Sequence, residues 1–439
     1  MTTDAVALPA EQLEAHALGK KWNLAARIGF RFAFCYWVLY SLPDNGHQSL
    51  TNLLPGAHYF NHPYIWFWHK LTPWVAQHLF HLSGTRITYF PTGSGDTTLD
   101  YIQNFLFAVI ALLGALVWSL LDRKREQYGT LYAWLRILVR FTLAITLFEY
   151  GLAKIVPTQF GQLTLMQLME RYGESSPMGL LWTFMAASTP YTIFGGLAEA
   201  AAATLLLFRR TALLGALVAA GVLLNVVMLN FCYDVPVKLY STNLLLMAVF
   251  LLLPDLSRLA NVFVFNRTAP PAELTRPHLP MRWMRLSAKA VTLALFAYFV
   301  AFTAWHGWQR IPHSAPPIYG AYDVDALNLN GKPAVPSNTA NPAWKQVTAG
   351  YRSWVIQNTD GAQPVFSPYF EKGNLVYLYS WKTRSYIKLN YSQPDAQHLV
   401  LTGHHGGESF EVRLHKTAQT QFLLTSRGFH WISEQPFNR

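Results

Sequence analysis

Long apolar runs constrain this chain before any other feature. About twenty largely apolar residues are needed for a helix to cross the hydrocarbon core of a bilayer. Runs of that kind recur near residues 24–43, 101–121, 131–155, 191–208, 211–232, 239–254 and 286–306, which predicts about seven transmembrane helices. Hydrophobic residues make up 52% of the chain and charged residues only 13%, whereas an ordinary soluble domain is roughly 25% charged. The deficit is concentrated in residues 1–310, and residues 311–439 have a soluble composition. A net charge of +11 is compatible with a nucleic-acid partner. The cations, however, flank the apolar runs, where membrane orientation places them, so no nucleic-acid partner is expected.

Those cations also predict an orientation. Lys20, Lys21 and Arg27 precede or open the first run, Asp122-Arg123-Lys124-Arg125 follows the second, and Arg209-Arg210 follows the fourth. Arg258, Arg267, Arg276, Arg282 and Arg285 lie between the sixth and seventh. All four sets fall on one side if the N-terminus is cytoplasmic. An odd number of spans then exports residues 307–439. The expected localisation is a bacterial inner (cytoplasmic) membrane, with the C-terminal domain periplasmic or otherwise extracytoplasmic. The first twenty residues contain Asp4, Glu11 and Glu14 and no apolar core, so no cleavable signal peptide is expected. Cys35 and Cys232 form no C-x-x-C or zinc spacing, and no disulfide framework is expected.

Two long outside connections carry pattern of their own. Residues 44–100 contain Trp66-Phe67-Trp68-His69, Trp74 and Leu79-Phe80, a stretch suited to the membrane interface. They end in Gly93-Ser94-Gly95-Asp96-Thr97-Thr98-Leu99-Asp100. There Thr98 or Asp100 can cap the second span, and the glycines can form a close-approach loop or anion nest. His47, His58, His62, His69, His78 and His81 also lie here, but no carboxylate completes a metal motif. Residues 156–190 predict two amphipathic helices, marked by Leu163, Met166, Leu168 and Met169, then Leu180, Leu181 and Phe184.

From Tyr319 onward the apolar period changes to two. Alternation runs through 375–379, 386–389, 398–401, 410–414, 422–424 and 429–432, with turns at 371–374, 393–395, 403–407 and 426–428. Short strands of this kind favour an up-and-down barrel or a sandwich. A lipocalin-like antiparallel β-barrel is the expected form. His404-His405 and His430 read as turn and strand histidines rather than metal ligands, and Arg427 reads as a partner of Trp431 that closes the barrel.

Ionisable residues inside the spans are costly and mark pathways or sites. Arg136 and Arg140 open the third span, Glu149 and Lys154 close it, and the fourth holds Glu199. Asn225 and Asn230 lie in the fifth, with Asp234 at its end, then Pro236 and Lys238. Two readings stand. These groups are either buried ion pairs that fix helix packing, or the walls of an outward-facing polar cavity for a small molecule or quinone headgroup. Glu149, Lys154, Glu199, Asn225, Asn230, Asp234, Lys238, Asp96 and Asp100 are the candidate ligand-binding residues, and Lys154, Glu199 and Asp234 the candidate catalytic ones. No metal site is expected.

Over about residues 131–260 the chain resembles the DoxX-like superfamily of four-helix membrane proteins. The resemblance rests on Arg136 and Arg140 opening a span, Tyr150-Gly151-Leu152-Ala153-Lys154 closing it, Gly195-Gly196-Leu197-Ala198-Glu199, and Leu205 to Thr211. The whole chain looks like longer relatives with extra spans and an exported barrel ending in Arg427 to Ile432. Relatives within the superfamily include quinone-linked sulfur-oxidation subunits, and the fold is similar to the membrane part of vitamin K-dependent carboxylases. The resemblance makes Lys154 and Glu199 the matching positions. The implied organisation is a cytoplasmic N-terminus (1–23), two spans with a long outer loop (24–130), the DoxX-like core (131–260), a cytoplasmic connection with the last span (261–310) and the exported barrel (311–439). Two functions compete. One is a quinone-linked or lipid-soluble-substrate oxidoreductase module, with a cavity in the bundle. The other is a non-catalytic envelope binding or assembly protein, with ion pairs closed inside the bundle and a pocket in the barrel holding a lipid or protein partner.

Overall fold

The computed structural model describes residues 21–42, 51, 57–89, 93–270, 281–311, 314–333, 344–405, 407–417 and 422–435. The N-terminal acids, Lys20, His47, Arg276 and Gly406 lie outside these. The chain divides into a helical unit, residues 1–159 and 192–308, and a second unit, residues 160–191 and 309–439.

Among the described residues six helices are long and apolar enough to cross a membrane: Thr98–Leu121, Gly129–Ile155, Thr189–Leu207, Ala212–Cys232, Lys238–Phe263 and Leu286–Arg310. They coincide with six of the seven expected spans. The remaining one, expected at 24–43, is an 18-residue helix, α1 (Leu24–Ser41), N-capped by Asn23 through the Ala26 amide. Arg27 and Arg31 lower its apolarity. In chain order the helical unit continues with α2 (Ala57–His78), α3 (Thr98–Leu121) and α4 (Gly129–Ile155). Two shorter helices, α5 (Leu165–Met169) and α6 (Pro177–Ala187), belong to the second unit and fall where the two amphipathic helices are expected.

Next come α7 (Thr189–Leu207), α8 (Ala212–Cys232), α9 (Lys238–Leu252), α10 (Leu256–Phe263) and α11 (Arg282–Arg310). One buried cluster unites the unit, with Phe30, Trp37 and Trp68 packed with Phe107, Leu143 and Met247. Within α2, Trp68 is buried edge-on against Phe107 at 4.8 Å, while Trp66, Phe67 and Trp74 are exposed. The aromatic loop is thus a helix with one packed face. An exposed aromatic face beside a span is the composition of an interfacial anchor.

Among its described residues the second unit holds nine strands in the order β2-β1-β3-β4-β5-β6-β7-β8-β9, and β1 pairs back onto β9. Its strands are β1 (Gly320–Leu329), the short β2 (Lys332–Pro333), β3 (Trp344–Ala349), β4 (Trp354–Asn358), β5 (Val365–Glu371), β6 (Leu375–Ser380), β7 (Ser385–Ser392), β8 (His398–His405) and β9 (Glu408–Lys416). β1 and β3–β9 form a closed antiparallel up-and-down barrel, as the alternation predicts, and β2 only extends the β1 hairpin. Pairing β1 with β9 closes the barrel and leaves the short β2 as a free edge strand.

Two segments depart from the expectation. Residues 422–424 enter a helical turn, Leu423–Ser426, and 429–432 form no strand. Closure comes from the β1–β9 ladder, Tyr322↔Lys416 through Leu329↔Phe410. Arg427 instead donates to Ser433 Oγ at 3.2 Å, and Trp431 is exposed. Their apolar side chains mimic a strand pattern, but the ladder is already complete at Lys416. The barrel lumen is filled by Tyr322, Trp354, Phe366, Leu378, Leu389 and Leu401, all buried.

Candidate functional site

The deepest charged contact lies where α4 crosses α7. Lys154 Nζ donates to both oxygens of Glu199, at 2.9 and 2.7 Å, and lies 3.5 Å from the Tyr150 carbonyl. The two residues are only 7% and 3% exposed. Glycine makes the crossing close. A Cβ built on Gly151 would sit 2.8 Å from the Gly196 carbonyl oxygen, and one on Gly196 would sit 2.6 Å from that of Gly151. The small-residue faces let the backbones touch, and the ion pair forms beside that contact. Two of the motifs that carry the resemblance, Tyr150 to Lys154 and Gly195 to Glu199, therefore form one structural unit.

Asp96, Asp234 and Lys238 form a second group at the α8–α9 turn. Asp96 accepts the backbone N–H groups of Lys238 and Leu239 at 2.8 and 2.9 Å, and Gly95 N–H donates to the Pro236 carbonyl at 2.8 Å. The loop before α3 thus caps α9 from outside that helix. Lys238 Nζ lies 3.7 Å from Asp96 and 2.8 Å from Asp234, and Asp234 itself is exposed, with φ of 50°. Asp100 is the N3 residue of a capping box whose N-cap is Thr97, not Thr98. The glycine-rich loop therefore works as two helix caps.

Of the other candidates, Asn230 donates to Ser241 Oγ at 2.9 Å between α8 and α9. Asn225 sits on an exposed face of α8. Glu149 is partly buried, and its Oε2 is enclosed without a hydrogen-bond partner.

Several polar contacts were not apparent from the sequence. Arg31, 2% exposed, donates to the Tyr128 hydroxyl (2.6 Å), Ser119 Oγ (2.8 Å) and the Asp122 carbonyl (2.8 Å). Tyr36 OH joins Asn104 and Asn243 at 3.1 and 2.6 Å, linking α1, α3 and α9. Asp255 holds Arg258 in a close ion pair and lies 4.0 Å from Arg136. The only available signal was a polar residue within an apolar run, and its partner lies up to 207 positions away.

The second unit presents a different kind of site. A cavity of about 520 Å³ lies against the barrel wall, lined by Asn328, Lys388, Asn390, Thr402, His404 and Glu411 among others. Among the described residues no group of three or more His, Cys, Asp or Glu side chains is placed to hold a metal ion.

No family model matches the chain, and no solved structure does. A curated protein of Bacillus subtilis (strain 168), described as "Uncharacterized protein YwoB", is 39% identical over 124 residues, which is 28% of this chain and 79% of that protein. Through that segment, the chain belongs to the same family as YwoB.

Proposed function

We propose that this protein is a multi-pass inner-membrane protein whose helical unit anchors an extracytoplasmic barrel, and that the barrel is a non-catalytic binding module of the cell envelope. One contrast carries the reading. Lys154 is bound bidentately to Glu199, and Lys238 is held by Asp96 and Asp234. The barrel wall instead has an open cavity lined by polar side chains. Satisfied buried pairs are what helix packing needs, whereas a concavity with a few convergent polar groups is what a ligand needs. The packed lumen directs that ligand to the outside of the barrel.

The test is purified wild type beside Lys154→Met and Glu199→Gln, with bound small molecules assayed by mass spectrometry. The expected result is no quinone above the bulk-lipid level and variants that lose thermal stability alone. Stoichiometric quinone that disappears in either variant would reject the anchor reading.

The quinone-linked oxidoreductase module is kept as a second reading because of one observation, the enclosed and unbonded Oε2 of Glu149. An intramembrane carboxylate of that kind is a recurrent proton-handling group. If the bundle is a redox module, Glu149→Gln abolishes quinone reduction in proteoliposomes and leaves the melting temperature unchanged.

A further inference from the structure

The outer wall of the barrel carries two kinds of surface side by side. In an antiparallel sheet, directly opposed residues share a face, so the ladder register shows which side chains form each row. Tyr369 opposes Tyr377, which opposes Lys388, and Tyr379 opposes Tyr386. These residues alternate with the buried Val376, Leu378 and Leu389, so they face outward. Tyr369 and Tyr386 are 69% and 66% exposed, and Trp381, in the β6–β7 turn, is 74% exposed. The rings brace one another: Tyr377 and Tyr386 meet edge-on at 5.8 Å, and Tyr379 and Trp381 at 5.0 Å. Trp381 Nε1 donates to Ser367 Oγ at 3.0 Å, which further orients the indole. The result is a platform of aromatic faces open to solvent.

A polar row begins on β7, the one strand it shares with the platform, and continues through β8 and β9 to β1. Asn390 opposes Thr402, Thr402 opposes Glu411, and Glu411 opposes Asn328. This row lines the 520 Å³ cavity, and Lys388 belongs both to that lining and to the aromatic platform, 5.8 Å over the Tyr377 ring. Gly403 accounts for the concavity. A Cβ there would sit 2.8 Å from Leu389 Cδ2 and from Phe410 Cζ, and 2.9 Å from the Lys388 carbonyl oxygen. The wall can draw in towards the core only because this residue has no side chain.

We propose that this wall binds a neutral oligosaccharide chain. The assignment rests on the reading of the barrel as the binding module and names the chemistry of its ligand. A pyranose ring presents an apolar C–H face and a rim of hydroxyls. Flat aromatic faces take the first, since C–H groups are drawn to the π-cloud. Asn and Glu side chains take the second, because each offers two sites to adjacent hydroxyls.

Other ligand classes fit less well. A peptide strand has only short edges to join, the two-residue β2 and the end of β5 beyond Phe366, since the rest of the barrel is closed. A nucleic-acid strand needs a cationic groove that tracks its phosphates, whereas the lining sets the carboxylate of Glu411, itself ion-paired with Arg413, beside Lys388 and His404 and adds amides and hydroxyls. An acyl chain would meet polar groups along the whole row. From β6 across to β9 is three inter-strand steps of about 4.8 Å, or roughly 14 Å along the curved wall, enough for about three sugar units laid across the strands.

The test uses the full-length protein in detergent, titrated with cellotetraose, maltotetraose and chitotetraose and followed by tryptophan fluorescence and calorimetry. At least one tetrasaccharide is expected to bind. Trp381→Ala and Glu411→Gln, both at surface positions that leave the barrel core untouched, should each weaken it tenfold or more. Asp360→Asn, in the β4–β5 turn, should not. If none of the three binds, or if both wall variants bind like wild type, the glycan assignment is wrong. A photo-crosslinker at Thr402 in living cells separates that failure from a wider one. Crosslinking to a protein or a lipid, with no sugar bound, overturns the glycan and leaves the binding-module reading standing. No crosslink and no sugar overturns both.

Discussion

Lys154 and Glu199 hold each other in a place where neither tolerates being left alone. Removing one partner of a buried pair leaves an uncompensated charge and costs about 3–5 kcal/mol, whereas replacing both with apolar residues of similar volume is often near neutral. Lys154→Met and Glu199→Leu should therefore each lower the melting temperature in detergent, and the double variant should recover most of the loss. Additive losses would show that the two side chains do not act as a pair. A second residue-scale device lies in the turn between β7 and β8. Asp395 accepts the Gln397 and His398 amides at 2.7 and 2.8 Å and also contacts the His398 ring. The Gln397 amide foremost, then the His398 ring and amide, hold its carboxyl below the ordinary value of 3.8. A depressed folded-state value means that the turn's stabilisation is complete above the ordinary value and is lost as pH falls through the lower one. The protection factors of the Gln397 and His398 amides should fall only in that acidic window, and in Asp395→Ala they should be low at every pH.

At the scale of elements, the α4–α7 crossing and the cap on α9 are the two joints of the helical unit. Gly196→Ala introduces a Cβ within 2.6–2.8 Å of the Gly151 carbonyl oxygen and Lys154 Cβ, so the helices must separate. An overpacked contact of this kind costs about 1–3 kcal/mol. Gly195→Ala, whose nearest neighbour would be Lys154 Cδ at 3.9 Å, is the matched control and should melt like wild type. Asp96→Ala removes a cap from α9, a loss of about 1 kcal/mol, and should loosen the α8–α9 turn before the rest of the unit in hydrogen exchange. The sequence foreshadowed these joints unequally. The ingredients of the crossing were visible because Gly151, Lys154, Gly196 and Glu199 each stand out in an apolar run, although their contact was not. Asp96 was legible only as a candidate ligand-binding residue in the loop before α3, since its true partner lies 142 residues on. Strand alternation located β6–β9 closely and then ran on into 422–432, because a period of two records side-chain character and not ladder pairing.

For the molecule as a whole, orientation depends on whether α1 crosses the membrane, and its neighbours bear on that. At 18 residues it is about 27 Å long, close to the roughly 30 Å hydrocarbon thickness. It runs antiparallel to α3: Arg31 meets Ser119, a Cβ on Gly114 would lie 3.1 Å from Cys35 Sγ, and Tyr40 packs on Phe107. Where α3 crosses, α1 therefore crosses most of the same depth. Lys21 pairs with Glu126 at 2.6 Å and Arg27 donates to the Arg125 carbonyl, so the start of α1 and the loop after α3 lie at one end of the bundle. Arg136 and Asp255 bring the start of α4 and the end of α9 together as well. The basic ends are thus clustered as the positive-inside rule requires of a cytoplasmic face, and under the proposed orientation a crossing by α1 would make the crossings seven and export the barrel. With Cys35 and Cys232 first replaced by serine, Lys21→Cys and Lys124→Cys should resist a membrane-impermeant maleimide in intact cells, while Asp395→Cys should be labelled. Labelling at Lys21→Cys with protection at Lys124→Cys would make α1 a surface helix and the crossings six. Protection at Asp395→Cys would place the barrel in the cytoplasm, out of reach of any envelope ligand.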